Sequence, residues 1–334
     1  MTKKNNIRTQ LYPLRFDPIY QYRIWGGRHL ANFLTTPLPD GLVGEAWMLS
    51  DRDSHTSLVS NGSLKGQTIG QLFQQSQELL MGKLAGKFNR FPLLLKFLDA
   101  SEMLSVQVHP TDEQKDYIPV GEHGKTEAWV VLESTPESKI YAGLKPKTTA
   151  DNLRQSIKSG TIEDHLSSFT PKKGDGVFLP AGTVHALGGD IVVFEVQQNS
   201  DVTFRLYDWN HINAKTGKPR TLQIDQAIAC IDFTQGEKTS VIPVLEEQKS
   251  VLRERLFQCE HFRLWRLSGK LPFTVGEKDI PRVLVCIDGE GKLEYNNMYY
   301  KIQKGDVWLL PAIVGSCLFC PNATVSLLEI ALPE

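Results

Sequence analysis

Polar side chains able to bind a metal ion or to move a proton concentrate between residues 104 and 129. The alternation around LSVQVHP is typical of a β-strand, in which Gln107 and His109 share one face. A second short strand is predicted to begin near Lys125, which has the same parity as Glu127. Two neighbouring strands would therefore direct an amide, an imidazole, an ammonium and a carboxylate into one space.

A second segment, GDGVFLPAGTVH, ends in His185. Its Gly-Asp and Pro-Ala-Gly sequences predict turns on either side of a short apolar strand. Two histidines and one glutamate on strands form a ligand set for a divalent first-row metal with an open position. Because a single histidine is more often a surface or hydrogen-bonded core residue, the metal prediction rests on His109, Glu127 and His185 together.

Three further charged residues lie on predicted strands. Lys96 is the single basic residue of the apolar run FPLLLKFLD, and it either lies on a solvated face or enters the site with a partner. After His185, Glu195 alternates with apolar residues, and so does Arg205. In a barrel one parity faces the lumen, which would direct Glu195 and Arg205 toward the metal. The alternative is a polar solvent face over an apolar core.

Three other residues are weaker candidates for contact with a substrate. Trp25, beside the Gly26-Gly27 turn, is either a core aromatic residue or part of a wall on which a sugar stacks. Glu45 occurs on a predicted strand, where an isolated glutamate is more often solvated than functional. Asp201 lies at a turn.

Composition narrows the functional class. The 334 residues suit two or three domains, and 37 basic against 38 acidic residues give a net charge of -1, with no basic block for nucleic acid.

The N-terminal residues lack the apolar core of a signal peptide, and no run of about 18 apolar residues predicts a membrane helix. Five cysteines at irregular spacing favour reduced thiols in the cytoplasm. The Cys317–Cys320 pair is a weak metal or redox signal.

The motif set resembles the cupin superfamily, with a first motif containing His and Glu and a second of the form G-D-x(4)-P-x-G-x-x-H. The versions Q-V-H-P-T-D-E, G-K-T-E-A-W and F-R-L-Y-D-W resemble the type I mannose-6-phosphate isomerase family in its short bacterial form. The resemblance extends from Pro13 to about Asp232, and more faintly to the C-terminus.

The resemblance implies a mainly β protein made of two cupin barrels, that is, double-stranded β-helix or jelly-roll barrels, with a few short inserted helices. We expect a catalytic metal-binding domain at 1–245, with helical insertions at about 66–84 and 150–168. A C-terminal domain at 246–334 would begin in a charged linker or helix. GDVWLLPAIVGS at 305–316 repeats the second motif at constant offset, but Ser316 replaces the histidine. The second barrel is therefore predicted to lack metal and to be filled by side chains such as Val307, Leu309 and Leu327.

The implied activity is reversible conversion of mannose 6-phosphate to fructose 6-phosphate through a cis-enediolate. One Zn²⁺ per chain would be held by His109, Glu127, His185 and Gln107. The resemblance implies that Arg205 is the catalytic arginine. Lys125, on the same strand face as Glu127, is a candidate for proton transfer or substrate binding, with a pKa that the metal would lower. Glu195, which parity directs inward, is a further catalytic candidate. Substrate contacts are expected from the residues Lys96, Trp25, Glu45 and Asp201. The partner would be a small sugar phosphate, and the chain a monomer or weak homo-oligomer.

Two other functions remain open at this point: a metal-dependent cupin oxygenase, and a non-catalytic sugar-binding regulatory cupin. The identity of the bound metal distinguishes the oxygenase from an isomerase, because zinc favours an isomerase and redox-active iron with O₂ consumption favours an oxygenase. A coupled assay of fructose 6-phosphate formation discriminates the second.

Overall fold

The computed structural model describes residues 11–213 and 216–332. Internal packing divides the chain into two compact units. We call Pro18–His55 with Pro92–Pro243 the first barrel. The second barrel combines three segments, at 11–17, 56–91 and 244–332 of the described chain.

The secondary structure consists mainly of short strands. The strands up to the middle of the chain are β1 Leu14–Arg15, β2 Ile19–Gln21, β3 Glu45–Leu49, β4 Asp51–Arg52, β5 His55–Thr56, β6 Leu93–Ala100, β7 Val106–Val108, β8 Glu127–Ser134, β9 Ile140–Leu144, β10 Leu166–Phe169, β11 Gly176–Leu179, β12 His185–Leu187 and β13 Ile191–Gln198. The remaining strands are β14 Phe204–Tyr207, β15 Ile212–Asn213, β16 Lys218–Pro219, β17 Val244–Gln248, β18 Leu252–Gln258, β19 Arg263–Gly269, β20 Phe273–Val275, β21 Arg282–Asp288, β22 Glu290–Tyr295, β23 Met298–Gln303, β24 Val307–Leu310, β25 Cys317–Pro321 and β26 Val325–Ala331. The α-helices are α1 Ile69–Met81, α2 Ala150–Ser159 and α3 Ile224–Cys230, and 3₁₀ helices lie at His29–Asn32, Gly62–Leu64, Gly82–Leu84, Lys115–Tyr117 and Ile162–His165.

Each barrel contains two large antiparallel sheets. In the first barrel, a six-stranded sheet has the order β11-β8-β13-β6-β3-β2, and a five-stranded sheet has the order β10-β9-β12-β7-β14. In the second barrel, the orders are β1-β24-β21-β26-β19-β18-β17 and β20-β25-β22-β23. The prediction of a mainly β, two-barrel cupin architecture is confirmed.

Both faces of the central strand β13 are buried. This burial decides whether its polar residues face the barrel interior or solvent. All eight of its residues are inaccessible, and Glu195 is 2% exposed. Phe194 packs against Phe97 on one side of the sheet. Glu195 pairs in register with Lys96 on β6 and Trp129 on β8. The polar parity therefore faces the interior of the first barrel and not solvent.

The two predicted helical insertions begin at side-chain caps. Thr68 and Gln71 form a capping box before α1, and Thr149 and Asn152 form one before α2. The second insertion is less helical than predicted, because a 3₁₀ helix at Ile162–His165 leads directly into strand β10, which pairs with β9.

The second barrel corrects two expectations. The charged stretch 246–255 is no linker or helix but the β17–β18 hairpin, in which Glu246 accepts a hydrogen bond from Arg255 and another from the Trp265 indole. The barrel's core contains Leu327 as predicted. From β24, this core contains Trp308 and Leu310. The predicted residues Val307 and Leu309 have the opposite strand parity and do not belong to this cluster.

The compact units also divide the chain differently from the predicted domains. The boundary at Pro243–Val244 is close to residue 245, but the α1 insertion belongs to the second barrel and not to the predicted catalytic domain. Among the described residues, no helix has the length and apolar character needed to cross a membrane. The five cysteines are free thiols.

Candidate active site

Three strands of the first barrel bring the predicted metal ligands together. His109 follows β7, Glu127 begins β8 and His185 begins β12. Their ligand atoms lie within 4.8 Å of one another, and each residue is 1% exposed. His185 Nε2 is 3.1 Å from Glu127 Oε1, and His109 Nε2 is 3.4 Å from Glu127 Oε2.

Backbone carbonyl groups fix the orientation of both imidazoles. His109 Nδ1 lies 2.8 Å from the Val202 carbonyl oxygen, and His185 Nδ1 lies 2.9 Å from that of Thr183. A carbonyl oxygen only accepts, so each Nδ1 carries the proton and each Nε2 presents a lone pair. This second hydrogen bond is typical of histidines that bind metals.

The donor set fits a divalent cation. Two Nε2 lone pairs and a carboxylate face one another, which is unfavourable unless a cation lies nearby. Burial and the neighbouring Lys125 ammonium lower the pKa of His109 to about 3, so this imidazole is neutral, as a ligand must be. The Glu127 pKa is held well below its usual value by Lys125 and both histidines despite burial. The polar contact of the buried Glu127 Oε2 atom with an ammonium group is its ion pair with Lys125, at 2.7 Å.

Lys125 is the nearest ammonium group to these ligands. Its Nζ lies 2.7 Å from Glu127 Oε2, 3.3 Å from His109 Nε2 and 3.6 Å from Glu195 Oε1. Burial alone would lower the pKa of Lys125, but the Glu127 and Glu195 carboxylates outweigh burial and raise it. The lowered pKa that was expected for Lys125 concerns the metal-loaded site, so it stays a prediction.

Glu195 lies in a different electrostatic environment from Glu127. Burial is the largest cause that raises the pKa of Glu195, to about 8, and the nearby Glu127 charge adds to it against the effect of Lys96 and Lys125. The two neighbouring carboxyl groups thus titrate in opposite directions, an arrangement suited to one ligand and one proton carrier.

Lys96 is buried, 3% exposed, and lies on the cavity wall instead of a solvated face. Its Nζ is 3.6 Å from Glu45 Oε2 and 5.2 Å from the centre of the Trp47 ring. Glu45 also accepts hydrogen bonds from the Trp47 indole at 2.6 Å and from Arg23 Nε at 2.7 Å. Although burial opposes ionisation, Lys96 and Arg23 lower the pKa of Glu45 to about 2, so it is a carboxylate.

Arg205 lies beside the predicted metal ligands in the five-stranded sheet. Gln107 pairs in register with His185 on one side and with Arg205 on the other. The Gln107 Nε2 atom is 3.2 Å from His185 Nε2. Arg205 Nη1 donates to the Thr221 carbonyl at 2.9 Å, and its buried Nε has no hydrogen-bond partner among the described residues. Burial, followed by the charge of Arg220, lowers the Arg205 pKa.

A cavity of about 470 Å³ connects these groups. Trp25 is a core residue that also lines the cavity, and the stacking of a sugar on it stays a prediction. Asp201 is exposed and lines the same cavity. Of the eleven predicted site residues, nine line the cavity, namely Trp25, Glu45, Lys96, Gln107, Lys125, Glu127, Glu195, Asp201 and Arg205. His109 and His185 lie against it through Glu127.

Sequence reasoning missed two arginines on the cavity wall. Arg23 immediately precedes the Ile24–Trp25 pair and is bonded to Glu45, and Arg220 forms a two-pronged ion pair with Asp208. Both lie outside regular strands, where parity says nothing about orientation. One feature of the sequence could have indicated Arg220. Asp208, the acidic residue of R-L-Y-D-W, is buried, and a buried carboxylate requires a cationic partner.

A buried His-Glu-His set inside a double-sheet β barrel defines a metal-site cupin. The family model for the phosphomannose isomerase type I catalytic domain matches residues 14–128. The chain is 37% identical over 306 residues to mannose-6-phosphate isomerase ManA of Bacillus subtilis, covering 91% of this chain and 94% of that protein. It is 33% identical to the mannose-6-phosphate isomerase of Streptococcus mutans, covering 92% of this chain and 95% of the relative.

A solved structure supports the same assignment. The mannose 6-phosphate isomerase from Bacillus subtilis superposes with a TM-score of 0.88 at 29% identity, covering 96% of this chain and 99% of that one. The chain therefore belongs to the type I phosphomannose isomerase family, and it is an isomerase of the aldose–ketose class.

Proposed function

We propose that the chain catalyses the reversible interconversion of D-mannose 6-phosphate and D-fructose 6-phosphate through a cis-enediolate. The names of its relatives support this substrate pair. The observation that carries the proposal is the oriented His109-Glu127-His185 set, which reaches the cavity through Glu127, where Arg205 lines the same cavity. Isomerisation needs such a polarising site next to a cation, because negative charge develops on the substrate oxygens.

We assign the metal site to one Zn²⁺ per chain, held by His109, Glu127 and His185 with Gln107 as the fourth ligand. Gln107 lies next to His185, and a rotation of its amide would present the oxygen in place of the nitrogen. When bound, the ion would supply Lewis-acid polarisation of substrate oxygens.

The other residues would bind substrate and move its proton. Arg205 would donate in a planar fork to the oxygen that becomes negative. Lys125 and Glu195, 3.6 Å apart, would together hold the proton that passes between C2 and C1. Lys96 and Glu45, fixed against each other, would bind sugar hydroxyl groups, with Trp25 as the apolar wall and Asp201 as a polar contact at the edge.

A coupled assay of fructose 6-phosphate formation tests this function directly. The zinc-loaded protein should turn over mannose 6-phosphate, and glucose 6-phosphate offered at the same concentration should react much more slowly. Absence of turnover with every hexose 6-phosphate would contradict the proposal and favour a regulatory sugar-binding role. Iron in the purified protein together with O₂ consumption would favour the oxygenase.

A further inference from the structure

The loop that joins β7 to β8 carries candidate functional side chains at both of its ends. It leaves the first barrel at His109 and returns at Lys125. The two ends are packed against each other, because an added Cβ at Gly124 would lie 2.6 Å from the Asp112 backbone nitrogen. The Lys125 N–H also donates to the Pro110 carbonyl at 3.0 Å. The position of the Lys125 side chain therefore depends on how this loop is closed.

Asp112 and Gln198 close the loop with side-chain hydrogen bonds. One Asp112 carboxylate oxygen accepts from the Gly124 N–H at 2.7 Å, and the other accepts from Gln198 Nε2 at 2.9 Å. The Gln198 side-chain oxygen accepts from the Thr126 N–H at 2.8 Å, and the Gln198 N–H donates to the Thr126 carbonyl at 3.1 Å. Gln198 is 8% exposed, so water competes little for its bonds. These residues form one network from the loop to the end of β13.

Thr126 lies between the two residues whose positions this network controls. Strand alternation directs Lys125 and Glu127 into the cavity and Thr126 away from it. The Thr126 hydroxyl accepts from the Ala181 N–H at 3.2 Å, in the turn that precedes His185. A displacement of the Thr126 backbone would therefore move an ammonium group and a predicted metal ligand together.

We propose that Asp112 and Gln198 are positioning residues, which act from behind the cavity wall and hold Lys125 and Glu127 in place for proton transfer and metal binding. The proton-transfer part rests on the proposed function. The effect on metal binding does not require turnover, because Glu127 is part of the candidate ligand set in either case. Outer hydrogen-bond partners of this kind change metal affinity or activity by about 10- to 100-fold when they are removed.

An exchange of the two side-chain types tests the proposal. Gln198→Glu places two carboxylates against each other, and Asp112→Asn leaves two N–H donors facing each other, so each single variant loses at least one bond of the network. The double variant D112N/Q198E restores the bonds with donor and acceptor exchanged. The amide at position 112 then donates to the carboxylate at position 198, while the Gly124 and Thr126 N–H groups both keep an acceptor.

In each single variant, kcat for mannose 6-phosphate should fall about 10- to 100-fold with KM within about threefold, because the displaced groups act on the transferred proton. The dissociation constant for Zn²⁺, measured by competition between the zinc-loaded protein and a chromophoric chelator, should rise by a similar factor. The double variant should return both constants to within about threefold of wild type. Gln155→Glu, at an exposed position of α2, is the matched control for the change of charge and should leave both constants unchanged.

Wild-type kcat and zinc affinity in both folded single variants would overturn the inference, whatever their melting temperatures, since the network would then only stabilise the fold. A double variant no better than the weaker single variant would also overturn it. If Gln198→Glu does not fold, the comparison of Asp112→Asn with the double variant decides in the same way. If wild type lacks isomerase activity, the zinc dissociation constants still test the network, so failure of the proposed function is distinguished from failure of this inference.

Discussion

At the scale of single residues, the candidate metal site is a set of electron-pair donors whose two imidazoles are oriented by backbone carbonyl groups. His185→Ala removes one Nε2 donor and also the cross-strand neighbour of Gln107. We expect the purified variant to lose its metal, as elemental analysis would show, because two protein ligands and an amide bind far more weakly than the full set. His165→Ala, on a 3₁₀ helix, should retain the ion. Full occupancy in His185→Ala would place the metal elsewhere.

Arg205 is predicted to contribute to catalysis more than to folding. Arg205→Lys keeps the charge but loses the fork that reaches both the Thr221 carbonyl and the cavity. Turnover should fall roughly 10²- to 10³-fold, as for loss of one oxyanion donor. The melting temperature should change little, because the guanidinium makes few internal hydrogen bonds. Near-normal turnover in a coupled assay would refute the catalytic role, and Arg154→Lys is the matched control.

Residue types and parity predicted the site wherever its residues lie on strands. Alternation favoured the inward orientation of Glu195 and Arg205, because a strand directs every second side chain to one face. For Lys96 the sequence left a solvated face and a place in the site equally open. Arg23 and Arg220 could not be placed in this way, since they lie in irregular segments whose course depends on tertiary contacts. The β17–β18 hairpin was missed for another reason: its charges pair across strands, which the local sequence does not show.

At the scale of elements, strand β9 approaches another backbone at Gly143. Its φ is 83°, and an added Cβ would lie 2.1 Å from the Gly236 carbonyl oxygen. Gly143→Ala should therefore cost the left-handed penalty of about 1–2 kcal/mol and a further ~1–3 kcal/mol for the clash. Gly143 N also donates to the Val184 carbonyl, next to the ligand strand β12.

Denaturant unfolding measures this cost against a matched substitution. Gly160→Ala, at the end of α2, has φ of 73° and open space, with only the Tyr207 hydroxyl 3.8 Å away. Gly160→Ala should therefore lower the free energy of unfolding only by the cost of the left-handed backbone conformation. Equal destabilisation of the two variants would show that the backbone near Gly236 moves aside without cost.

The short 3₁₀ helix at His29–Asn32 is attached to β6 by a pH-dependent contact. Asp99 accepts a hydrogen bond from the His29 backbone N–H at 2.6 Å and lies 3.0 Å from its ring Nδ1. The hydrogen bond between the His29 ring and Asp99 raises the pKa of His29, although burial opposes it. The stabilisation is complete below the unfolded-state pKa of about 6.5 and is lost as pH rises through the higher folded-state pKa.

Urea unfolding of wild type and His29→Gln should therefore differ more at about pH 5.5 than at about pH 8.5. The direction follows from the protonated imidazole, which attracts the buried Asp99 carboxylate in the folded state alone. A difference that grows with rising pH would contradict the assigned shift.

At the scale of the whole molecule, the second barrel is assembled from three separate segments, and this predicts how truncation acts. Leu14 on β1 pairs with Leu309 on β24, and the end of α1 is bonded to the second barrel through Leu79 and Leu80, whose carbonyls accept from Ile313 and Ala312. A chain that ends near residue 245 would lose these partners. It would also leave the apolar face of α1, including the buried Ile69, Leu72 and Phe73, without a core.

We therefore expect a fragment of residues 1–245 to be insoluble or poorly folded, because the exposed apolar surface of α1 and β1 favours aggregation. Circular dichroism and gel filtration would measure this. Ser316→Ala in the full chain is the companion experiment. Ser316 occupies the repeat position of His185, and the described residues hold a His-Glu-His group only in the first barrel. Activity and metal content should therefore be unchanged. A soluble, active fragment ending near Leu245 would show instead that the first barrel folds while α1 and β1 lack their own core.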